Sequence, residues 1–139
     1  MSPGIGKPMA KFSDLQARNS KIEKGAWVEE LPNLSDLGIK VRVRGYGNSD
    51  HRKFMAELYS EVSDEDRTKP EVEFAIHTEL ITRTILLEWT GMDDFPFNPK
   101  NVKIALTDPS VAILRTAIDF ASKTVGQSGV EKLEAAVKK

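Results

Sequence analysis

The sequence predicts a mainly α-helical domain of the α+β class: four to five helices with a small N-terminal antiparallel β-hairpin. Three observations carry this. A broad apolar arc runs from Pro70 to about Trp89. Two helix starts, Asn98-Pro99 and Asp108-Pro109, each set a capping side chain directly before a proline. Proline suits the first helical position, where its missing N–H would have had no partner. Finally, Ile39, Val41 and Val43 alternate with Lys40, Arg42 and Arg44, the period of two that marks a strand buried on one face.

Taken in order, residues 1–10 hold prolines and glycines with little to bury, and read as a disordered arm. A single globular domain is expected over 11–125. It opens with a short helix in KFSDLQARNSK, capped by Ser13, with Phe12, Leu15 and Ile22 facing inward. GAWVEEL and GIKVRVRGY then form the hairpin, about 25–45, around the turn-rich PNLSDLG. A helix over 49–62 starts at one of Asn48, Ser49 or Asp50 and turns Phe54, Met55, Leu58 and Val62 to one side. The next runs from Pro70 to about residue 90, with Gly91 just past its end. Its apolar positions spread so widely that burial on more than one side is implied. A short helix at 99–106 buries Val102, Leu106 and Ile104. A last one at 109–125 repeats Val111, Leu114, Ile118, Ala121 and Val125 at steps of three and four, and stops at Gly126. Residues 126–139 offer only Val130, Leu133 and Val137 on one face. A helix that short is marginal in water, so this tail is flexible or docks on a partner.

At 139 residues the chain is one domain's worth. A net charge of −1 gives no global basic field to hold nucleic acid or an anionic membrane. No cysteine is present, which excludes a disulfide framework, thiolate metal ligands and a cysteine nucleophile. No signal-peptide core or run of 18 apolar residues occurs, so a soluble intracellular protein is expected, with no membrane partner. His51 and His77 are the only histidines, and neither has a His or Cys partner at metal-ligand spacing. His51 reads as a surface residue of a first helical turn, His77 as a helix-face histidine with a polar partner. The acidic run at 64–66 lacks the later Gly and Glu of a calcium loop. GIGK at the N-terminus lacks both the preceding strand and the GK[ST] ending of a phosphate loop. No catalytic residue, metal site or cofactor is assigned, and a non-enzymatic protein is expected.

Two binding readings remain. Lys40, Arg42, Arg44, Arg52 and Lys53, beside Tyr46, would make a phosphate-tracking surface for a small nucleic-acid module. Alternatively, those cations are the solvent face of an edge strand, where charge discourages sheet-to-sheet aggregation. For protein partners the candidates are Trp89, Phe95 and Phe97 in the corner EWTGMDDFPFNPKNV, Val111, Leu114 and Ile118 on the following helix, and Val130 and Leu133 in the tail. The aromatic residues of the corner either pin it to the core or present a contact.

The stretch LLEWTGMDDFPFNPKNVKIALTDPSVAILRTAIDFAS resembles the tail assembly chaperones of long-tailed bacteriophages and prophages. Trp89, Gly91, Asp93, Phe95, Pro96, Phe97, Asn98, Asn101, Leu106, Asp108 and Pro109 fall on that family's pattern: a helix ending in Trp, an acidic turn, then a Pro–aromatic–cap start. GAWVEELPNLSDLGIKVRVRGYGNSDHRKF is similar to the family's N-terminal part, so the likeness spans about residues 11–125. Asn98 departs from the more usual Ser or Thr but caps equally well. The resemblance implies a non-enzymatic protein of the bacterial host cytoplasm, absent from the finished virion. It implies binding to the tape measure protein while the tail tube polymerises, and self-association into a homo-oligomer. It further implies a longer frameshifted form that recruits the major tail protein. A structural head–tail connector or tail-completion subunit is the alternative within virion assembly.

Overall fold

The computed structural model describes residues 9–126. Among them are five α-helices, α1 (Phe12–Lys24), α2 (Ser49–Ser60), α3 (Pro70–Leu80), α4 (Pro99–Thr107) and α5 (Ala112–Gly126), and three strands, β1 (Ala26–Val28), β2 (Lys40–Val43) and β3 (Leu86–Thr90). The mainly α, α+β expectation holds. The expected tail from 127 onward, with Val130 and Leu133, lies outside the described residues, as does the arm up to residue 8.

The hairpin does not stand alone. β1 and β2 pair antiparallel, but as the edge and centre of a three-stranded sheet in the order β1-β2-β3. The third strand is the chief correction to the sequence reading, because β3 occupies the end of the expected 70–90 helix. Helix α3 stops at Leu80, residues Ile81–Ile85 form one wide π-type turn, and the chain then runs extended to Thr90. The run ITRTI is rich in β-branched residues, which lose side-chain freedom in a helix and fit a pleated sheet. The free edge of β2 supplies the ladder. The wide turn also releases carbonyls: that of Ile85 accepts the Arg44 N–H at 2.9 Å, and that of Thr84 accepts the Asn48 amide at 2.9 Å. The implied burial on several sides is therefore real, but it is divided between a helix and a strand.

The other starts follow the capping logic. The Asn48 side chain accepts the His51 N–H at 2.8 Å, so Asn48 caps α2. Asn98 accepts the Asn101 N–H at 2.8 Å at the head of α4. Asp108 accepts the Ser110 N–H at 2.9 Å, opening a 3₁₀ turn (Pro109–Val111) that leads into α5. Helix α5 covers one face of the sheet. Leu114, Ala117, Ile118, Ala121 and Val125 turn inward onto the fully buried Val41 and Val43 of β2, with Ile81, Ile85 and Leu106 closing the same core. Two alanines and the buried Ser122, whose hydroxyl donates to the Arg44 carbonyl at 3.0 Å, let α5 approach the sheet closely.

Three further expectations fail. His51 is buried rather than at the surface, because the first turn of α2 packs edge-on against Tyr46 with ring centroids 5.3 Å apart. Phe12 and Leu15, expected to face inward, are 74% and 59% exposed, and no residue of α1 is fully buried. Ser13 does not cap α1; the Asp14 carboxylate instead accepts the Lys11 N–H at 3.1 Å. The last turn of α1 is tied to the segment that follows β2. There the Ile22 carbonyl accepts the Gly45 N–H at 3.0 Å, and the Glu23 carbonyl accepts Arg44 Nε at 2.6 Å.

Candidate functional site

The corner that follows β3 is built around Trp89. Its indole is 3% exposed, donates from Nε1 to the Phe95 carbonyl at 2.8 Å, stacks on Phe95 and meets Phe97 edge-on at 5.1 Å. Gly91 makes the turn possible at φ +99°, and a Cβ there would lie 2.4 Å from the Gly38 carbonyl oxygen. The corner is thus clamped against the 34–39 segment by backbone contact, and Asn101 Nδ2 holds its far side through the Pro96 carbonyl at 2.8 Å. Trp89 is a core residue whose aromatic partners fix the corner. It has no surface to offer a partner.

Leu114 and Ile118 are likewise buried, because the three-and-four seam of α5 is the side turned to the sheet. What faces outward is the neighbouring column. Ile113 is 50% exposed, and Val111 and Phe95 are partly buried. Together with Leu37, Ile39, Met92 and Ile104 they line an open apolar groove of about 330 Å³, floored by Leu34 and Leu114. One wall is the corner, the second is the turn before β2, and the third is α4 with the start of α5. Sequence periodicity located the right helix but chose its inward face. The outward residues Leu37, Met92, Ile104 and Ile113, and the buried Ile39 beside them, come together only through the three-way packing. Asp94 also borders the groove, and Asp36 and Asp93 are sequence neighbours of its lining residues; none of the three forms an ion pair with a described residue.

A second, polar cluster joins the loop before α2 to α3 and α5. Arg115 can only donate, and its guanidinium reaches His77 Nδ1 at 3.1 Å. The His77 proton therefore sits on Nε2 and points at the Tyr46 oxygen, 2.9 Å away. Tyr46 in turn donates to Asp119. Burial and the adjacent Arg115 hold the His77 pKa below its ordinary value. Burial and the Asp119 partner push the Tyr46 phenol far up. Burial would raise Asp119, but hydrogen bonds from Tyr46 and Lys123 together keep it low. Neither His77 nitrogen has a spare lone pair and Tyr46 stays protonated, so these two side chains act as a clasp between elements. Arg115 also caps the Phe74 ring at 4.1 Å and donates to the Leu106 carbonyl. His77 has the polar partners expected of it. The cluster borders an open cavity of about 470 Å³ between α2 and α3.

The basic segment is largely neutralised on the strand. Arg44 is held between Glu23 and Asp50. Lys40 pairs with Glu29, and Arg42 sits in register between Trp27 and Glu88 on the outer face of the sheet. Arg52 and Lys53 are exposed on α2. Among the described residues no group of His, Asp or Glu is arranged to hold a metal ion, and no helix is long and apolar enough to cross a membrane. Fold and site together define a small α+β domain that carries an open apolar groove. Comparison with protein-family models, with curated proteins and with solved structures finds no match to this chain.

Proposed function

We propose that this chain is a non-enzymatic tail assembly chaperone of a long-tailed phage or prophage, and that the groove receives its client. The observation that carries the reading is the groove itself: the corner that bears the family resemblance forms one of its apolar walls. An amphipathic helix binds such a groove by laying in side chains from successive turns. A long helical tape measure protein offers that face many times over, so weak contacts add along it. The site works in the host cytoplasm during tube polymerisation, and a longer frameshifted form of the chain would bring in the major tail protein.

Co-expression with the tape measure protein tests the assignment. Leu37 and Ile113 are more than half and half exposed respectively, so Leu37→Glu and Ile113→Glu leave the fold intact while putting charge into the groove. Both are expected to return the client to the insoluble fraction, whereas Arg52→Glu is not. A client kept soluble by Ile113→Glu would show that the groove is not the client site. Finding the chain in purified particles would favour a head–tail connector instead.

A further inference from the structure

The cavity of about 470 Å³ between α2 and α3 shares no lining residue with the apolar groove, and client capture gives it no use. Its size falls in the range of about 300–1,000 Å³ that small-molecule sites occupy. Tyr46 from the turn before α2, Tyr59 from α2 and Phe74 from α3 supply its aromatic walls, so three separate elements enclose it. Met55 and the buried Ile76 and Leu80 complete the apolar lining.

Within this lining His51 stands out. It is 9% exposed, its Nδ1 is buried without a hydrogen-bond partner, and its ring bonds to no described residue. Burial and the nearby His77 hold its pKa below the ordinary value. At pH 7 the ring is therefore neutral, with one donor and one acceptor, both unspent. Buried polar groups in native proteins are nearly always paired, so an open one in a cavity wall points to a ligand. His77 and Tyr46 use their groups in the clasp, but the other polar lining groups keep capacity. The Tyr59 hydroxyl and the Glu73 carboxylate bond to no described residue. Arg115 reaches Thr78, Leu106 and His77, which uses three of the five N–H groups of its guanidinium.

The chemistry of these groups specifies the ligand. Glu73 can only accept a hydrogen bond and Arg115 can only donate, so a ligand that satisfies both carries a donor and an acceptor. These two charged lining residues are of opposite sign, which favours neither a cation nor an anion. Aromatic walls favour a flat ring that stacks on them or meets them edge-on. We propose that this cavity binds a neutral, planar heteroaromatic molecule whose ring carries both N–H donors and carbonyl acceptors, as a nucleobase of the hypoxanthine type does. A ring N–H donates to Glu73, a carbonyl accepts from Arg115, and His51 bonds a further ring nitrogen. The site stands apart from the client reading and holds or fails without it.

Isothermal titration calorimetry of the full chain at pH 7 provides the test, with far-ultraviolet circular dichroism to verify folding of each variant. Hypoxanthine and its nucleoside inosine are the probes. Saturable one-to-one binding of either is expected, and their ratio says whether free base or nucleoside is the better form. Caffeine keeps the flat ring and the carbonyls but has no N–H, and should bind at least about tenfold more weakly. His51→Phe keeps an aromatic ring of similar shape and removes the unpaired nitrogens, so the variant should fold and lose about tenfold in affinity. Glu73→Gln, at an exposed position of α3, should lose a similar factor. No binding of either probe would overturn the proposal, as would equal binding of caffeine or tighter binding of the cation benzylamine. Unchanged affinity in Glu73→Gln, which alters no buried residue, would overturn it even if His51→Phe failed to fold.

Discussion

At the scale of single residues, the chain is governed by side chains whose role depends on what stands opposite them. Gly91 is the clearest. Its positive φ alone disfavours other residues, and the Gly38 carbonyl lies where a Cβ would go. Gly91→Ala is expected to cost at least about 2 kcal/mol in urea denaturation, although Gly91 reads in sequence as an ordinary helix stop. The Arg115–His77–Tyr46–Asp119 clasp gives a pH signature. His77 and His51 both have folded-state values below the unfolded one. The unfolded chain therefore binds more protons in this range, and stability is complete above roughly pH 6.5 and falls as the pH drops below it. Melting temperature should decline between pH 7 and pH 5, and His77→Gln should flatten that slope; an unchanged slope would remove His77 as its source. Asn98 and Asp108 were legible as caps because capping is local. The partners of Tyr46, 31 and 73 residues away, were not.

At the scale of elements, the informative failure is the segment from Ile81 to Thr90. Its apolar residues fit a helical period, and the β-branched run ITRTI at 81–85 is only a weak local sign against a helix. Only the exposed backbone edge of β2, some 40 residues earlier, decides between the two. The same event makes β2 the central strand, with backbone partners on both sides. Hydrogen–deuterium exchange should accordingly show the slowest amides at Val41–Val43 and the fastest among described helices at residues 12–18 of α1. Equal protection of residues 12–18 and of α5 would contradict the exposure of the first turns of α1. For α5, the seam Val111, Leu114, Ile118, Ala121, Val125 reads in sequence as a candidate partner contact, yet from Leu114 onward it is buried against the sheet, and only Val111 reaches the groove.

For the whole molecule, folding leaves an open apolar groove of about 330 Å³ between the corner, the turn before β2 and the start of α5, and it leaves residues 11–19 of α1 exposed. The sequence by itself determined the class of fold, the helix starts at Asn98 and Asp108, the near-zero net charge and the corner that carries the family resemblance. These rest on local rules: caps, prolines, periodicity and charge act within a few residues of one another. The third strand, the burial of His51 and Trp89, the exposure of Phe12 and the groove were decided only by tertiary structure. Each depends on which surface is brought opposite a residue by segments distant in the chain. Periodicity names a helix's apolar face, but only packing determines whether the fold covers that face or leaves it for another molecule.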